Sequence, residues 1–141
     1  VMEETNARYL ARLPEPVDFV SIDAAFISLK LLLPAAQGWL AGAPAEIVAL
    51  IKPQFEAGRA EVSRGGGVIR DPRVHQRVLV EVLNNAAALG LAVRGLRRSP
   101  LVGPKGNAEF LAWLTGAAGA PAPQLTSLID AALAADLAAA A

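Results

Sequence analysis

The chain has no cysteine and one histidine, His75, among its 141 residues. The lack of cysteine excludes a disulfide framework and any thiolate metal site. A single histidine argues against a zinc site built from imidazoles, so we expect no metal. Charged residues are also few, at 18%, while 54% of the residues are apolar. This composition predicts a folded domain with its own core and argues against a disordered chain.

Long hydrophobic runs are missing as well, although a membrane-spanning helix needs about 20 uninterrupted apolar residues. The most apolar stretch, residues 24–51, is interrupted by six residues: Lys30, Pro34, Gln37, Gly38, Pro44 and Glu46. Residues 1–4 include two acids and no hydrophobic region, unlike a signal peptide. We therefore expect a cytoplasmic protein with no membrane partner.

The net charge is zero, but the charges are unevenly distributed along the chain. Residues 52–105 contain ten basic and four acidic residues. A basic half on a neutral chain is compatible with a phosphate-rich partner such as a nucleic acid. An ordinary solvated, arginine-rich surface is the alternative interpretation.

Alternation of strand-like and helix-like segments predicts an α/β fold. Strands are expected at 17–22, 46–51, 91–99 and 109–114, and helices at 28–40 and 71–89. Strand–helix alternation implies parallel pairing through right-handed crossovers. The last two strands are joined through a turn rich in glycine and proline, so we expect them to pair antiparallel.

Three further expectations concern the rest of the chain. The segment 58–71, which contains three consecutive glycines, is expected to form a mobile loop, and His75 is expected at the surface. We interpret residues 1–115 as one domain. The Ala- and Pro-rich residues 116–141 are interpreted as a linker or tail with a short helix near 125–137.

Two charged residues stand where predicted parallel strands end, which is where ligands bind in such sheets. Lys52 follows a fully apolar strand, and a partly desolvated lysine can act as a base. Its alternative is a lysine that reaches to solvent. Asp23 could orient a ligand, bind a metal or tune a neighbouring amine, and its alternative is a helix cap or a turn residue. Glu109 could hold the Lys52 ammonium, or it could be a solvated strand end.

Basic residues in and after the glycine-rich segment could bind phosphates through guanidinium groups and backbone amides. The segment matches neither a Walker nor a Rossmann glycine fingerprint. The candidate RNA-binding residues are Arg59, Arg64, Arg70 and Arg73.

Five phrases of the chain resemble, in order, the hemolysin A (TlyA) family of ribosomal RNA methyltransferases. They cover roughly residues 1–114 and lie at 5–8, 18–29, 49–58, 66–72 and 99–110. The phrase at 49–58, ALIKPQFEAG, is highly specific. The resemblance implies an FtsJ-like, Rossmann-type methyltransferase domain that uses S-adenosylmethionine and follows an S4-type RNA-binding domain.

The resemblance also implies residue roles. Related 2′-O-ribose methyltransferases use a Lys-Asp-Lys-Glu tetrad, whose last three members fall on Asp23, Lys52 and Glu109. Lys52 would be the base, and Asp23 would also contact the cofactor. The substrate would be ribosomal RNA, at a cytidine 2′-hydroxyl.

The first lysine of the tetrad and the glycine-rich cofactor loop are absent from this sequence. The chain would then supply a half-sheet of parallel strands with a final antiparallel strand and helices on both faces, without the N-terminal half. We expect this piece alone to be inactive. A non-catalytic RNA- or protein-binding module is the main alternative. A cytolysin, suggested by the family name, is disfavoured because no long apolar run or strongly cationic amphipathic helix is present.

Overall fold

A computed structural model of the chain describes residues 1–42, 44–116 and 124–139, with side chains described up to residue 134. After a 3₁₀ turn at Ala7–Tyr9, the sheet is built from four strands: β1 (Phe19–Ile22), β2 (Glu46–Ile51), β3 (Leu91–Arg98) and β4 (Phe110–Gly116). The described helices are α1 (Leu29–Trp39), α2 (Pro53–Glu56), α3 (Arg59–Arg64), α4 (Pro72–Ala88) and α5 (Leu125–Ala139).

The strands form one mixed sheet in the order β1-β2-β4-β3. β1 and β2 pair parallel, whereas β4 pairs antiparallel with both β2 and β3. The final strand is therefore the antiparallel one, inserted between strands that run the same way. This arrangement confirms the predicted α/β half-sheet and the antiparallel pairing of the last two strands.

One face of the sheet carries the core. Along β2 and β4 the buried residues alternate with more exposed ones, as expected for a sheet covered on one side. Buried residues of α1, α4 and α5 join the buried strand residues in a single cluster. The opposite face exposes Leu111 and Trp113. Helices of the described residues thus form one layer, so the prediction of helices on both faces of the sheet was wrong for this part of the chain.

Local sequence explains where the two long helices of this layer begin. Ser28 caps α1 by accepting a hydrogen bond from the Lys30 amide at 3.2 Å. Asp71 caps α4 in the same way through the Arg73 amide at 2.9 Å, and Pro72 occupies the first helical position. Pro34 lies inside α1 at an exposed position, and the helix continues past it to Trp39.

The prediction of a loop over the whole of 58–71 was wrong in its first half, because residues Arg59–Arg64 form α3, whereas residues 65–71 lie outside helices and strands. The helix is held against α4 by an ion pair between Glu61 and Arg77. Arg77 also pairs with Glu81 at 3.1 Å, and Glu81 in turn pairs with Lys30 of α1 at 3.2 Å. Glu61 and Arg77 lie 16 residues apart, so the local glycine-rich composition did not indicate this ion pair.

The prediction of a surface position for His75 was also wrong. Its side chain is 2% exposed, and Nε2 donates to the Ile69 carbonyl at 3.0 Å. The ring meets Phe110 edge-on, with centroids 5.6 Å apart. Burial lowers the pKa of His75, and the nearby Arg98 charge acts in the same direction, while the Ile69 hydrogen bond and Asp71 oppose them.

The C-terminal helix packs on the same core. Ile129 and Ala132 of α5 are 2% and 3% exposed and belong to the central cluster. Residues 117–123 and 140–141, which belong to the predicted tail, lie outside the described residues. None of the helices in the described ranges is long and apolar enough to cross a membrane.

Candidate active site

The ends of the parallel strands bring Lys52 and Asp23 into contact. Lys52 leaves β2 directly after Ile51, and its Nζ lies 2.6 Å from Asp23 Oδ1, at the end of β1. The Lys52 side chain is 16% exposed and that of Asp23 is 71% exposed. Because one partner is largely solvated, the pair contributes little to stability. Its effect is to hold the Lys52 ammonium in one place at the mouth of the sheet.

The alternative interpretations of these two residues are not what the structure shows. Lys52 does not extend freely into solvent, since most of its side chain is covered and its head group is paired. Asp23 does not cap α1, because Ser28 does so. Both side chains face the edge of the sheet where a ligand of a parallel sheet is expected.

Glu109 is brought beside Lys52 by backbone register. Ile51 of β2 is paired with Phe110 of β4, so the next residue on each strand is Lys52 or Glu109. Glu109 is 8% exposed and is therefore not a solvated strand end. A Cβ on Gly103 would lie only 3.0 Å from Glu109 Oε1, so a side chain there would displace the Glu109 carboxylate by a few tenths of an ångström. The ion pair at Lys52 is made with Asp23, whereas Glu109 is its neighbour in register.

A groove of about 680 Å³ is lined by residues that closely follow each member of this pair in sequence, but not by Lys52 or Asp23 themselves. Phe26, three residues after Asp23, is 91% exposed and has a φ of 63°, which is uncommon for a bulky residue. Its ring centroid lies 5.0 Å from that of Phe55, three residues after Lys52. Arg59 and Lys105 also line the groove. It therefore combines aromatic rings with cations.

Asn107 fixes the wall of the groove from inside the protein. This residue is 4% exposed, and its Oδ1 accepts from the Ile69 amide at 3.0 Å. Its Nδ2 donates to the Gly67 carbonyl at 3.0 Å. A buried amide with both functions satisfied holds two backbones in one arrangement. The glycine-rich segment is thereby tied to the turn that precedes Glu109.

The four candidate RNA-binding arginines lie on both sides of α3. Arg59 lines the large groove, whereas Arg64 and Arg70 line a second cavity of about 320 Å³, together with Glu61 and Asp71. Arg73 is exposed at the start of α4 and lines neither opening. The structure therefore places Arg64 and Arg70 at the smaller cavity and Arg59 at the larger groove.

Several residues of this region were not singled out from the sequence: Phe26, Phe55, Glu56, Lys105 and Asn107. Their place in the phrases around Asp23, Lys52 and Glu109 was the available signal. Among the residues that the structure describes, no group of three or more His, Asp or Glu side chains is arranged to hold a metal ion.

Comparison with known proteins agrees with this geometry. Residues 1–115 match the FtsJ-like methyltransferase family. The 16S/23S rRNA (cytidine-2'-O)-methyltransferase TlyA of Mycobacterium tuberculosis is 46% identical over 118 residues, which are 81% of this chain and 42% of the relative. The chain thus spans less than half the length of this curated relative.

Two solved structures are also similar over nearly the whole chain. A "putative hemolysin" from Lactococcus lactis has a TM-score of 0.80 and 44% identity, over 92% of this chain and 64% of its own. A "putative hemolysin" from Streptococcus thermophilus has a TM-score of 0.82 and 40% identity, over 96% of this chain and 50% of its own. Together with the strand-end site, these matches show that the chain belongs to the FtsJ-like methyltransferase family.

Proposed function

We propose that this chain forms the C-terminal part of an enzyme that methylates ribosomal RNA at a ribose 2′-hydroxyl, with cytidine as the modified nucleotide. The observation that carries the proposal is the Lys52–Asp23 ion pair at the ends of two parallel strands, with Glu109 beside it in register. The M. tuberculosis relative is named for this reaction. Work on ribosomal RNA would take place in the cytoplasm.

In the proposed reaction Lys52, in its deprotonated form, accepts the proton of the 2′-hydroxyl. The ribose oxygen is then the nucleophile for methyl transfer. Asp23 holds the Lys52 head group by direct contact, and Glu109 lies opposite Lys52 where the β2–β4 register is continued by one residue. Alignment of the hydroxyl with the methyl donor supplies most of the rate, and proton removal adds to it.

S-adenosylmethionine would supply the methyl group in this family. The described residues fit it only in part, since they offer one exposed carboxylate, Asp23, at the carboxyl end of β1. The segment between β1 and α1 contains no glycine that would let a backbone approach a cofactor closely. We propose that the rest of the cofactor site comes from the region of the relatives that this chain does not cover. The 141-residue chain alone should therefore be inactive.

The large groove has the chemistry that single-stranded RNA recognition uses. Aromatic rings such as Phe26 and Phe55 can stack on an unpaired base, and cations such as Arg59 and Lys105 can bind its phosphates. Arg64, Arg70 and Arg73 would extend the phosphate contacts away from the reacting nucleotide. This surface supports an RNA substrate that is bound with a base out of its stack.

The test is a Lys52→Ala substitution in a longer protein that joins this chain to the N-terminal region of its relatives. Methyl transfer to ribosomal RNA should fall by at least about 100-fold, because a positioned general base contributes roughly that much. RNA binding, measured separately, should be retained. Lys30→Ala is the matched control, since Lys30 is also ion-paired but lies on α1, where it pairs with Glu81.

Unchanged methyl transfer in the Lys52→Ala protein would remove Lys52 from the mechanism and favour a binding module. Methyl transfer by the 141-residue chain alone would contradict the proposed division of the cofactor site. A haemolysis assay on the longer protein tests the cytolysin alternative, for which we expect no activity.

A further inference from the structure

Glu56 makes two hydrogen bonds that join the two chain segments that follow β1 and β2. Its Oε2 accepts a hydrogen bond from the Ser28 hydroxyl at 2.6 Å, and its Oε1 accepts from the Leu29 amide at 2.7 Å. The residues are 28 and 27 positions apart in sequence. Hydrogen bonds to an ionised carboxylate at these distances are among the stronger ones in proteins.

The hydroxyl of Ser28 has no freedom in this arrangement. It accepts from the Lys30 amide at 3.2 Å, so its own hydrogen is directed to Glu56. Because the Leu29 amide is one of the unpaired donors at the start of α1, the Glu56 charge also lies where a helix favours an anion. The beginning of α1 is thereby fixed to the end of α2.

These contacts close a frame around the site. The segment that leads from β1 into α1 begins with Asp23 and ends with Ser28. The segment that leads from β2 through α2 begins with Lys52 and ends with Glu56. The Lys52–Asp23 ion pair joins the two at one end, and Glu56 joins them at the other. Between these ends the rings of Phe26 and Phe55 are in contact.

The segment that begins with Lys52 is anchored in the protein, whereas the segment that begins with Asp23 depends on its contacts. Pro53, which follows Lys52, is fully buried. Asp23 and Phe26 are exposed, and Phe26 adopts a positive φ that a phenylalanine occupies only when its surroundings hold it there. Without Glu56, the segment 23–28 loses the hydrogen bonds that connect its end to α2.

We infer that Glu56 is a positioning residue of the methyltransferase site, which sets the place of Asp23 relative to Lys52 by clamping Ser28 and Leu29. This inference rests on the proposed function, since it assumes that Lys52 is the base. Glu56 itself does not touch the reacting atoms. Its effect is on the alignment of the groups that do.

The experiment compares Glu56→Ala and Glu56→Gln with the parent in the longer protein that contains this chain. We expect kcat to fall by about 10- to 100-fold in Glu56→Ala, because a displacement of about 1 Å at a catalytic group costs that much. KM for RNA should stay unchanged. Glu56→Gln keeps an acceptor for the Leu29 amide and should recover part of kcat.

Glu81→Ala is the matched control. It removes another carboxylate that ties α1 to a neighbouring helix, through Lys30, but it leaves the 23–28 segment untouched. Its kcat should equal that of the parent. Thermal unfolding of every variant shows whether the protein is folded. If Glu56→Ala does not fold, Glu56→Gln is used in its place, and its kcat should still fall below that of the parent, by less than about 10- to 100-fold, with KM for RNA unchanged.

A double variant separates positioning from a general effect on structure. If Glu56 acts through the Asp23–Lys52 contact, Asp23→Asn/Glu56→Ala should be no slower than the slower single variant. Independent, multiplicative losses would overturn the inference. So would a Glu56→Ala protein with the kcat of the parent, provided that Lys52→Ala is inactive. An active Lys52→Ala protein would instead overturn the proposed function.

Discussion

At the residue scale, the chain changes from an apolar to a charged side chain where β2 ends. Ile51 is fully buried, whereas the side chain of Lys52, the next residue, is 16% exposed and forms an ion pair with Asp23. A charge can be placed there because the strand end offers both cover and a partner. Most of the proposed chemistry depends on this one step from an apolar to a charged residue.

His75 provides a test of burial at the residue scale. Its pKa is lowered from an ordinary value of 6.5, mainly by desolvation. The unfolded chain therefore binds the proton more readily, and the stability that neutral His75 contributes is present above pH 6.5 and lost as the pH falls below it. We predict that acidification from about pH 7.5 to about pH 5.5 lowers the Tm of the parent more than that of His75→Gln.

At about pH 7.5, His75→Gln should be less stable by about 1–2 kcal/mol, because it loses the packing of the ring on Phe110. The amide can still donate to the Ile69 carbonyl. The pKa of Glu81 is also shifted, downward from 4.5 by its Arg77 and Lys30 partners, so its contribution is lost only at lower pH. An equal loss of Tm on acidification in the parent and in His75→Gln would show that His75 is not the source of the acid sensitivity.

At the scale of elements, α3 and α5 are stabilised by contacts with other helices and strands. α3 has six residues, too few to be stable alone, and it is held by the Glu61–Arg77 ion pair. α5 is mostly alanine and leucine, and its contacts with β3 and α4 bury Ile129 and Ala132. A helix of this composition becomes part of the domain only through such packing.

Ile129→Ala tests whether α5 contributes to the stability of the whole domain. Removing buried methyl groups from a fully packed isoleucine costs about 2–4 kcal/mol. We expect one cooperative unfolding transition at lower temperature, measured by circular dichroism. Thr126→Ala, at an exposed position of the same helix, is the control and should leave the Tm nearly unchanged. Equal stability of both variants would mean that α5 is an appended helix.

At the scale of the whole molecule, basic residues from the 52–105 part of the sequence lie together at the surface. Arg59 and Lys105 line the groove that contains Phe26 and Phe55, whereas Arg64 and Arg70 line the smaller cavity. The acidic residues Glu61 and Asp71 lie in the smaller cavity with Arg64 and Arg70, so their charges are partly balanced there. Arg59 should therefore contribute most to the attraction of a phosphate backbone.

We predict that Arg59→Ala/Arg64→Ala weakens RNA binding by the longer protein and reduces its salt dependence. Each phosphate contact that the double variant loses should make the slope of log K against log salt shallower by about 0.7 to 0.9. Binding titrations at several salt concentrations measure that slope. Arg12→Ala, an exposed arginine near the N-terminus and outside the basic region, is the control. An unchanged slope in the double variant would place the RNA elsewhere.

Local patterns in the sequence predicted much of the architecture. The strand at Glu46–Ile51 was predicted to the residue, because an unbroken apolar run is bounded by Pro44 and by Lys52-Pro53. The Asp71-Pro72 helix start was predicted because capping depends on neighbouring residues alone. Strand-end placement indicated Asp23 and Lys52 for the same reason. The role of these residues in catalysis stays a prediction.

The sequence by itself determined the order of strands and helices, the positions where strands end, and the family, since each follows from periodic burial or from contiguous motifs. Only the tertiary structure decided that Lys52 is paired with Asp23, that His75 is buried, that α3 forms, and that Glu56 clamps Ser28. Each of these depends on packing, ion pairs or hydrogen bonds with residues outside the local segment. Local propensity carries no information about such interactions.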